Sequence, residues 1–168
     1  MDITPADAAD APAIAEIYAH WVEHSVVTFD LEAPSPGDWR ARLRTAAQGG
    51  HPFLVGREAG RVVGYASVSP WKPKPAYRYT VENSVYLAPD ALGHGRGRAL
   101  LQRLVTDCRD AGLHRIVALV ADTGHAASAT LHTSLGFRGV GRLEQVGWKH
   151  GRWVDVEVLE LRLEAPAT

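Results

Sequence analysis

A chain of 168 residues with 46% hydrophobic and 22% charged content has the size and composition of one soluble globular domain, long enough to bury a sizeable core. Its formal net charge of −1 provides no global field that would draw nucleic acid or an anionic membrane. A single cysteine, Cys108, excludes an internal disulfide and suits a reducing cytoplasm, no signal-peptide pattern opens the chain, and no apolar run approaches the ~20 residues of a membrane span.

Taken in order, Asp10-Ala11-Pro12 predicts a helix start, with Asp as cap and Pro in the first turn. Ile14, Ile17, Tyr18, Trp21 and Val22 then fall on one helical face, and the chain runs on through Thr28-Phe29. Ser35-Pro36-Gly37-Asp38 opens a second helix with Trp39, Leu43 and Ala46 or Ala47 inward, and Gly49-Gly50 ends it. Residues 52–57 and 61–69 read as a strand pair around Glu58-Ala59-Gly60. The proline-rich stretch from Trp71 to Tyr77 is a loop feeding the next strand, a place where ligand contacts are common. The Ala-rich start and the tail Glu164-Ala165-Pro166-Ala167-Thr168 read as frayed ends.

The centre of the chain is residues 78–105. β-branched and aromatic residues from Arg78 to Leu87 predict a strand closed by Pro89-Asp90. Leu100, Leu101, Leu104, Val105 and Cys108 repeat at helical spacing, with Gly112 as the stop, so Cys108 is a packed thiol rather than a nucleophile. Between strand and helix stand Gly93, Gly95 and Gly97, alternating with His94, Arg96 and Arg98. Glycine lets backbone approach an anion, and a helix start offers unpaired N–H groups, so this loop is a candidate pyrophosphate cradle. It lacks the Gly-Lys-Ser/Thr ending of a P-loop and the spacing of a dinucleotide fingerprint.

Arg115 to Ala121 is a nearly unbroken apolar run, which suits a buried strand reached by a helical crossover. A helix from about Ala126 to Ser134 follows, and two strands joined through Gly147 to Gly151 end the pattern, with Val154, Val156 and Val158 at period two. The order implies an α/β fold with a mixed sheet. On the central strand, alternation puts Glu82, Ser84 and Tyr86 on one face and Val81, Val85 and Leu87 on the other. A carboxylate among apolar neighbours is a stronger base than one in water, which makes Glu82 a candidate. No His-Glu-x-x-His and no Cys/His cluster with ligand spacing occurs, so no metal is expected.

Gly93-His94-Gly95-Arg96-Gly97-Arg98-Ala99-Leu100-Leu101 resembles the acetyl-CoA pyrophosphate loop of the GNAT superfamily of N-acetyltransferases. Thr80 to Leu87, Leu131-His132 with Leu135-Gly136-Phe137, and Val146 to Asp155 resemble the phosphinothricin and methionine sulfoximine N-acetyltransferase branch. The resemblance implies a single-domain acetyltransferase fold over residues 1–168, with a core of about 3–163 and a mixed, mostly antiparallel sheet flanked by helices on both faces. It implies direct transfer of acetyl from acetyl-CoA, in a ternary complex, to the amine of a small amino-acid-like acceptor of the phosphinothricin, methionine sulfoximine or methionine sulfone type. Glu82 matches the branch's general base, and His132 stands where many superfamily members carry a Tyr as general acid, with a packing role as the alternative. The backbones of Val85, Tyr86 and Leu87 match the strand that holds the pantetheine arm, and Gly93, His94, Gly95, Arg96, Gly97 and Arg98 match the pyrophosphate loop.

The match has two departures. Leu92 opens the loop where Gln or Arg is usual, and His125 replaces an Asn that contacts the cofactor arm. Ser134 is a further cofactor candidate. Lys72, Tyr77 and Arg78 are candidates for the acceptor, with Arg78 able to grip a carboxylate bidentately. Phe29 borders the acceptor pocket in the branch or is core packing. A homodimer is implied by the resemblance alone. A non-catalytic acyl-CoA sensor, or an acetyltransferase for a peptide or protein N-terminus, are the alternative readings.

Overall fold

A computed structural model describes residues 1–163. The tail from Glu164 to Thr168, expected to fray, lies outside the described residues. Seven strands and four α-helices follow one another among the described residues: β1 (Asp2–Pro5), α1 (Ala11–His24), α2 (Pro36–Gln48), β2 (Phe53–Glu58), β3 (Arg61–Pro70), β4 (Thr80–Leu87), α3 (Arg96–Asp110), β5 (Arg115–Ala121), α4 (Ala127–Thr133), β6 (Arg138–Lys149) and β7 (Arg152–Arg162). The strands form one sheet in the order β1-β2-β3-β4-β5-β7-β6. Among the described residues only β4 and β5 pair in parallel, so the sheet is mixed and mostly antiparallel, as expected.

Local chemistry accounts for the elements. Ser35 and Asp38 form a reciprocal capping box at the start of α2. At α1, Asp10 occupies the cap position without capping through its side chain; its carboxylate instead accepts from Asp7 N and from Arg57 Nη2 at 2.5 Å. Ala59 and Gly60 both have positive φ, the two-residue turn whose twist matches a β-hairpin. The apolar stripe of α3 is realised in full, with Leu100, Leu101, Leu104 and Cys108 at 0% exposure. Each leucine so buried contributes roughly 1.5–3 kcal/mol. Burial pushes the Cys108 thiol up to about 12, which leaves it unreactive.

Two cores result, one on each face. Side chains of β3, β4, β5 and β7 pack with α3 on one face, where Leu131 and Leu135 of the α4 segment join them. Val55, Val63 and Tyr65 pack with Ile14, Tyr18, Trp39 and Leu43 of α1 and α2 on the other.

Two expectations need correction. The start of the chain is not frayed: Asp2–Pro5 is an edge strand registered on β2, with Ile3 opposite Gly56 and partly buried against the core. The last turn is tighter than residues 147–151, because His150 and Gly151 both adopt positive φ and close the hairpin alone. Gly147 lies inside β6, which instead carries register shifts between Gly139 and Gly141 and between Leu143 and Gly147.

Candidate active site

The site begins where β4 and β5 part. Among the described residues they pair only from Thr80–Arg115 to Glu82–Val117, whereas β4 stays paired with β3 as far as Leu87. Trp71 N donates to Thr80 O and Ala88 N to Val63 O, so even-numbered residues of β4 point their backbone groups at β3. Odd-numbered residues face β5, where the parallel Glu82–Val117 pair uses the Asn83 N–H; beyond it Val85 and Leu87 turn their backbone groups toward the gap. The Leu87 carbonyl is taken by Trp21 Nε1 at 2.8 Å, which leaves its N–H. Tyr86 departs from expectation here: its backbone belongs to the β3 ladder and its phenol packs edge-on to Tyr18 at 5.0 Å. Burial raises the Tyr86 hydroxyl to about 12.

At the same end of β4, Gly93, His94 and Gly95 all have positive φ, and α3 starts at Arg96. Among the described residues no atom lies within 4 Å of a Cβ built on Gly93 or Gly95, so glycine is favoured there by backbone conformation rather than crowding. Among the described residues no side chain caps α3, and its first turn holds no acidic residue. The N–H groups of Arg96, Gly97 and Arg98 are thus unpaired within the helix and available to an anion.

The two arginines are already engaged. Arg96 grips both oxygens of Glu58 at 2.8 Å and reaches Ala91 O at 3.3 Å, and this pair holds the Glu58 carboxyl below its usual range. Arg98 donates to the carbonyl and hydroxyl of Ser134 at 3.1 and 2.6 Å. Of the five side chains expected at a cofactor, Arg96 is neutralised by β2, and Arg98 and Ser134 fasten α3 to the end of α4. His94 is exposed. Among the described residues Arg96 alone of the loop's arginines is ion-paired; Arg98 bonds a neutral serine and keeps its charge beside the unpaired helix-start amides. His125 is exposed in the turn before α4, where Thr123 Oγ1 organises the backbone.

Glu82 lies on the face shared with Ser84 and Tyr86, and the unbroken register with β3 preserves the expected alternation. Half-buried, it is pushed above the usual carboxylate range by desolvation, against which the Lys72 charge acts. Lys72 lies over the Trp71 ring at 4.4 Å, and Arg78 over Tyr79 at 4.5 Å. Tyr77 is exposed in a 3₁₀ turn, Pro75–Tyr77. The three acceptor candidates thus sit on the loop that enters β4, with Lys72 the one whose charge reaches Glu82.

His132 lies across the sheet from Glu82, on the α4 side. Its Nδ1 is 2.8 Å from the Ser128 carbonyl, so Nδ1 carries the proton. Nε2 then accepts from Asn83 Nδ2 at 3.0 Å. Both ring nitrogens are committed in this neutral form, and burial holds the imidazole below its usual range. Asn83 was not singled out from sequence, because only the fold opposes residues 83 and 132. Its Oδ1 is buried without a partner among the described residues, beside the parted strands.

Sequence reading also missed Lys149. It is 3% exposed at the end of β6 and donates to Thr28 O at 2.9 Å. Among the described residues no group of three or more His, Cys, Asp or Glu side chains is arranged as metal ligands would be. No helix there is long and apolar enough to cross a membrane.

A slot with outward backbone donors, an orphaned Asn83 oxygen and a ring of unpaired helix-start amides suits a long polar ligand ending in a diphosphate. The comparisons agree. The model of the acetyltransferase (GNAT) family matches residues 14–137. A phosphinothricin N-acetyltransferase of Alcaligenes faecalis is 41% identical over 159 residues, covering 95% of this chain and 81% of the relative. An L-methionine sulfoximine/L-methionine sulfone acetyltransferase of Salmonella typhimurium is 41% identical over 167 residues, covering 99% and 97%. A Salmonella typhimurium protein solved with its cofactor acetyl-CoA superposes with a TM-score of 0.95 at 41% identity, covering 100% of this chain and 96% of that one. The chain belongs to the acetyltransferase (GNAT) family, with acetyl-CoA as its co-substrate.

Proposed function

We propose that this enzyme acetylates the amine of a small amino-acid-like acceptor, of the phosphinothricin, methionine sulfoximine or methionine sulfone type. The similarity to relatives that bear those names supports the acceptor class. The observation that carries the chemistry is the open edge of β4 beside a half-buried Glu82. When bound, acetyl-CoA supplies an activated acyl group for transfer to nitrogen.

In this reading the amides of Arg96, Gly97 and Arg98 hold the diphosphate. The outward backbone groups of Val85 and Leu87 hold the arm, and an N–H from this edge donates to the carbonyl oxygen of the acyl group as negative charge develops there. Glu82 takes the proton from the attacking amine, directly or through water; a positioned base contributes roughly 10²–10⁴-fold. Lys72, Tyr77 and Arg78 face the acceptor. His132, locked between Ser128 and Asn83, keeps α4 registered on β4.

The test is release of free CoA from acetyl-CoA with a panel of small amines. Turnover with L-phosphinothricin or L-methionine sulfone is expected. Tight CoA binding with no acceptor turned over, and no change on Glu82→Gln, would favour a sensor instead.

We place the enzyme in the cytoplasm as a homodimer. Support for the dimer comes from Val140, Leu143, Val146, Trp148 and Trp153, each 47–56% exposed on or beside edge strand β6. Light scattering should give twice the 18.2 kDa chain mass; the monomer mass at micromolar concentration would refute this.

A further inference from the structure

The parting of β4 from β5 divides the open end of the sheet into two arms, β1 to β4 and β5-β7-β6. On the α3 face the arms are bridged by contacts between α3 and α4, including Arg98 with Ser134. On the Glu82 face, α1 and α2 pack on β2, β3 and β4. There the residues after α1, Ser25 to Asp30, reach from one arm to the other.

The first attachment is to α1. Tyr18 OH donates to Asp30 Oδ2 at 2.8 Å, so the Thr28 hydroxyl, 2.5 Å away, is the donor to Tyr18. Tyr18 in turn packs against Tyr86, on the same face of β4 as Glu82. The second attachment is to β6. Lys149 Nζ donates to the Thr28 carbonyl. The Phe29 ring lies against Gly147 so closely that a Cβ added there would be 2.3 Å from Phe29 Cε2. Both contacts are specific. A buried ammonium is costly and adds nothing to packing that an apolar chain of its length would not. Here it is directed at one backbone carbonyl, and the single glycine opposite the ring is what admits Phe29.

We propose that Lys149 is a positioning residue for the acceptor: with Gly147, it anchors the strap Ser25–Asp30 across the open end of the sheet, so that the strap is held in place as a wall of the acceptor site on the Glu82 face. The inference rests on the acetyl-transfer reading for what the wall is used for, but the anchoring stands apart from it. A strap already fixed in its bound shape spares the acceptor the cost of ordering it. Displacement of such a wall by about an ångström can cost up to ~10²-fold.

The experiment compares wild type with Lys149→Met, Lys149→Arg and Gly147→Ala. Hydrogen exchange of residues 26–30 is read without substrates, and acceptor and donor kinetics are read with methionine sulfone and acetyl-CoA. Lys149→Met should speed exchange in the strap and raise the acceptor KM about tenfold, leaving acetyl-CoA affinity unchanged. Lys149→Arg should recover part of the acceptor KM. Gly147→Ala, which alters no charge, should reproduce both effects and carries the test if Lys149→Met does not fold. Unchanged strap exchange in Gly147→Ala, or equal losses of donor and acceptor affinity, would overturn the proposal. Loosened exchange in both variants, with wild type turning over none of the panel acceptors, would uphold the anchor and count against the acceptor assignment instead.

Discussion

The stretch Gly93–Arg98 and the strap Ser25–Asp30 both lie toward the open end of the sheet, yet they are built from different parts. The first presents backbone: three residues at positive φ and a helix start without a side-chain cap or an acidic first turn. Its charged side chains are turned to other partners, Arg96 to Glu58 and Arg98 to Ser134. The second is held by side chains, through Tyr18, Thr28, Phe29, Asp30 and Lys149. A backbone cradle serves a diphosphate whatever is attached to it, whereas a side-chain wall can be shaped to one acceptor. Donor and acceptor recognition should therefore be separable by mutation.

The sharpest way to break that separation is Glu82→Gln. It should lower kcat by about 10²–10⁴-fold with acetyl-CoA affinity unchanged, measured by thiol release and by calorimetry. A comparable loss of CoA affinity would mean that the two sides are not independent. The pH profile sharpens the same point. Desolvation raises the Glu82 pKa, so the base is protonated and idle below it. The acidic limb of kcat/KM should thus fall above the ordinary carboxylate range and vanish in Glu82→Gln. The stability linkage has the opposite sense. A carboxyl whose folded pKa exceeds its unfolded one favours the protonated fold, so its contribution is present at acid pH and lost as pH rises through the folded value.

Gly95→Ala comes next. Forcing a side chain into the left-handed region costs roughly 1–2 kcal/mol, so the KM for acetyl-CoA should rise about 5–30-fold. The acceptor KM should hold. An acceptor KM that rose in parallel would show that loop and strap move together.

How much of this was legible in the sequence follows the same division. The glycine triplet, the capping residues of α2, the α3 stripe and the alternation that sets Glu82 apart from Val81 are local patterns, and each folded as read. The resemblance extended that reading to the family. Partnerships formed by tertiary structure were not legible. Lys149 meets Thr28 across 121 positions, and Asn83 meets His132 across 49. Arg96 looked like a phosphate ligand because its loop is basic, but Glu58, at the end of a hairpin 38 residues earlier, claims it. The edge strand at Asp2–Pro5 escaped notice because four residues carry too little periodicity to outweigh the Ala-rich segment after them.

The smallest expected effect is at that Arg96 pair. Were Arg96 a ligand held in check, Glu58→Gln would free it and tighten CoA binding, most visibly at low salt. If Arg96 only braces the loop, Glu58→Gln should leave CoA affinity the same or slightly weaker, with a salt dependence close to that of wild type.

The central claim is that backbone amides at the start of α3 and along the open edge of β4 hold the donor. A titration of the ¹⁵N-labelled enzyme with CoA, followed amide by amide, tests it most directly. The largest shifts should fall on Arg96, Gly97 and Arg98, with Val85 and Leu87 next and the strap Ser25–Asp30 little changed. Saturable CoA binding that moves the strap amides and leaves residues 96–98 in place would contradict the account.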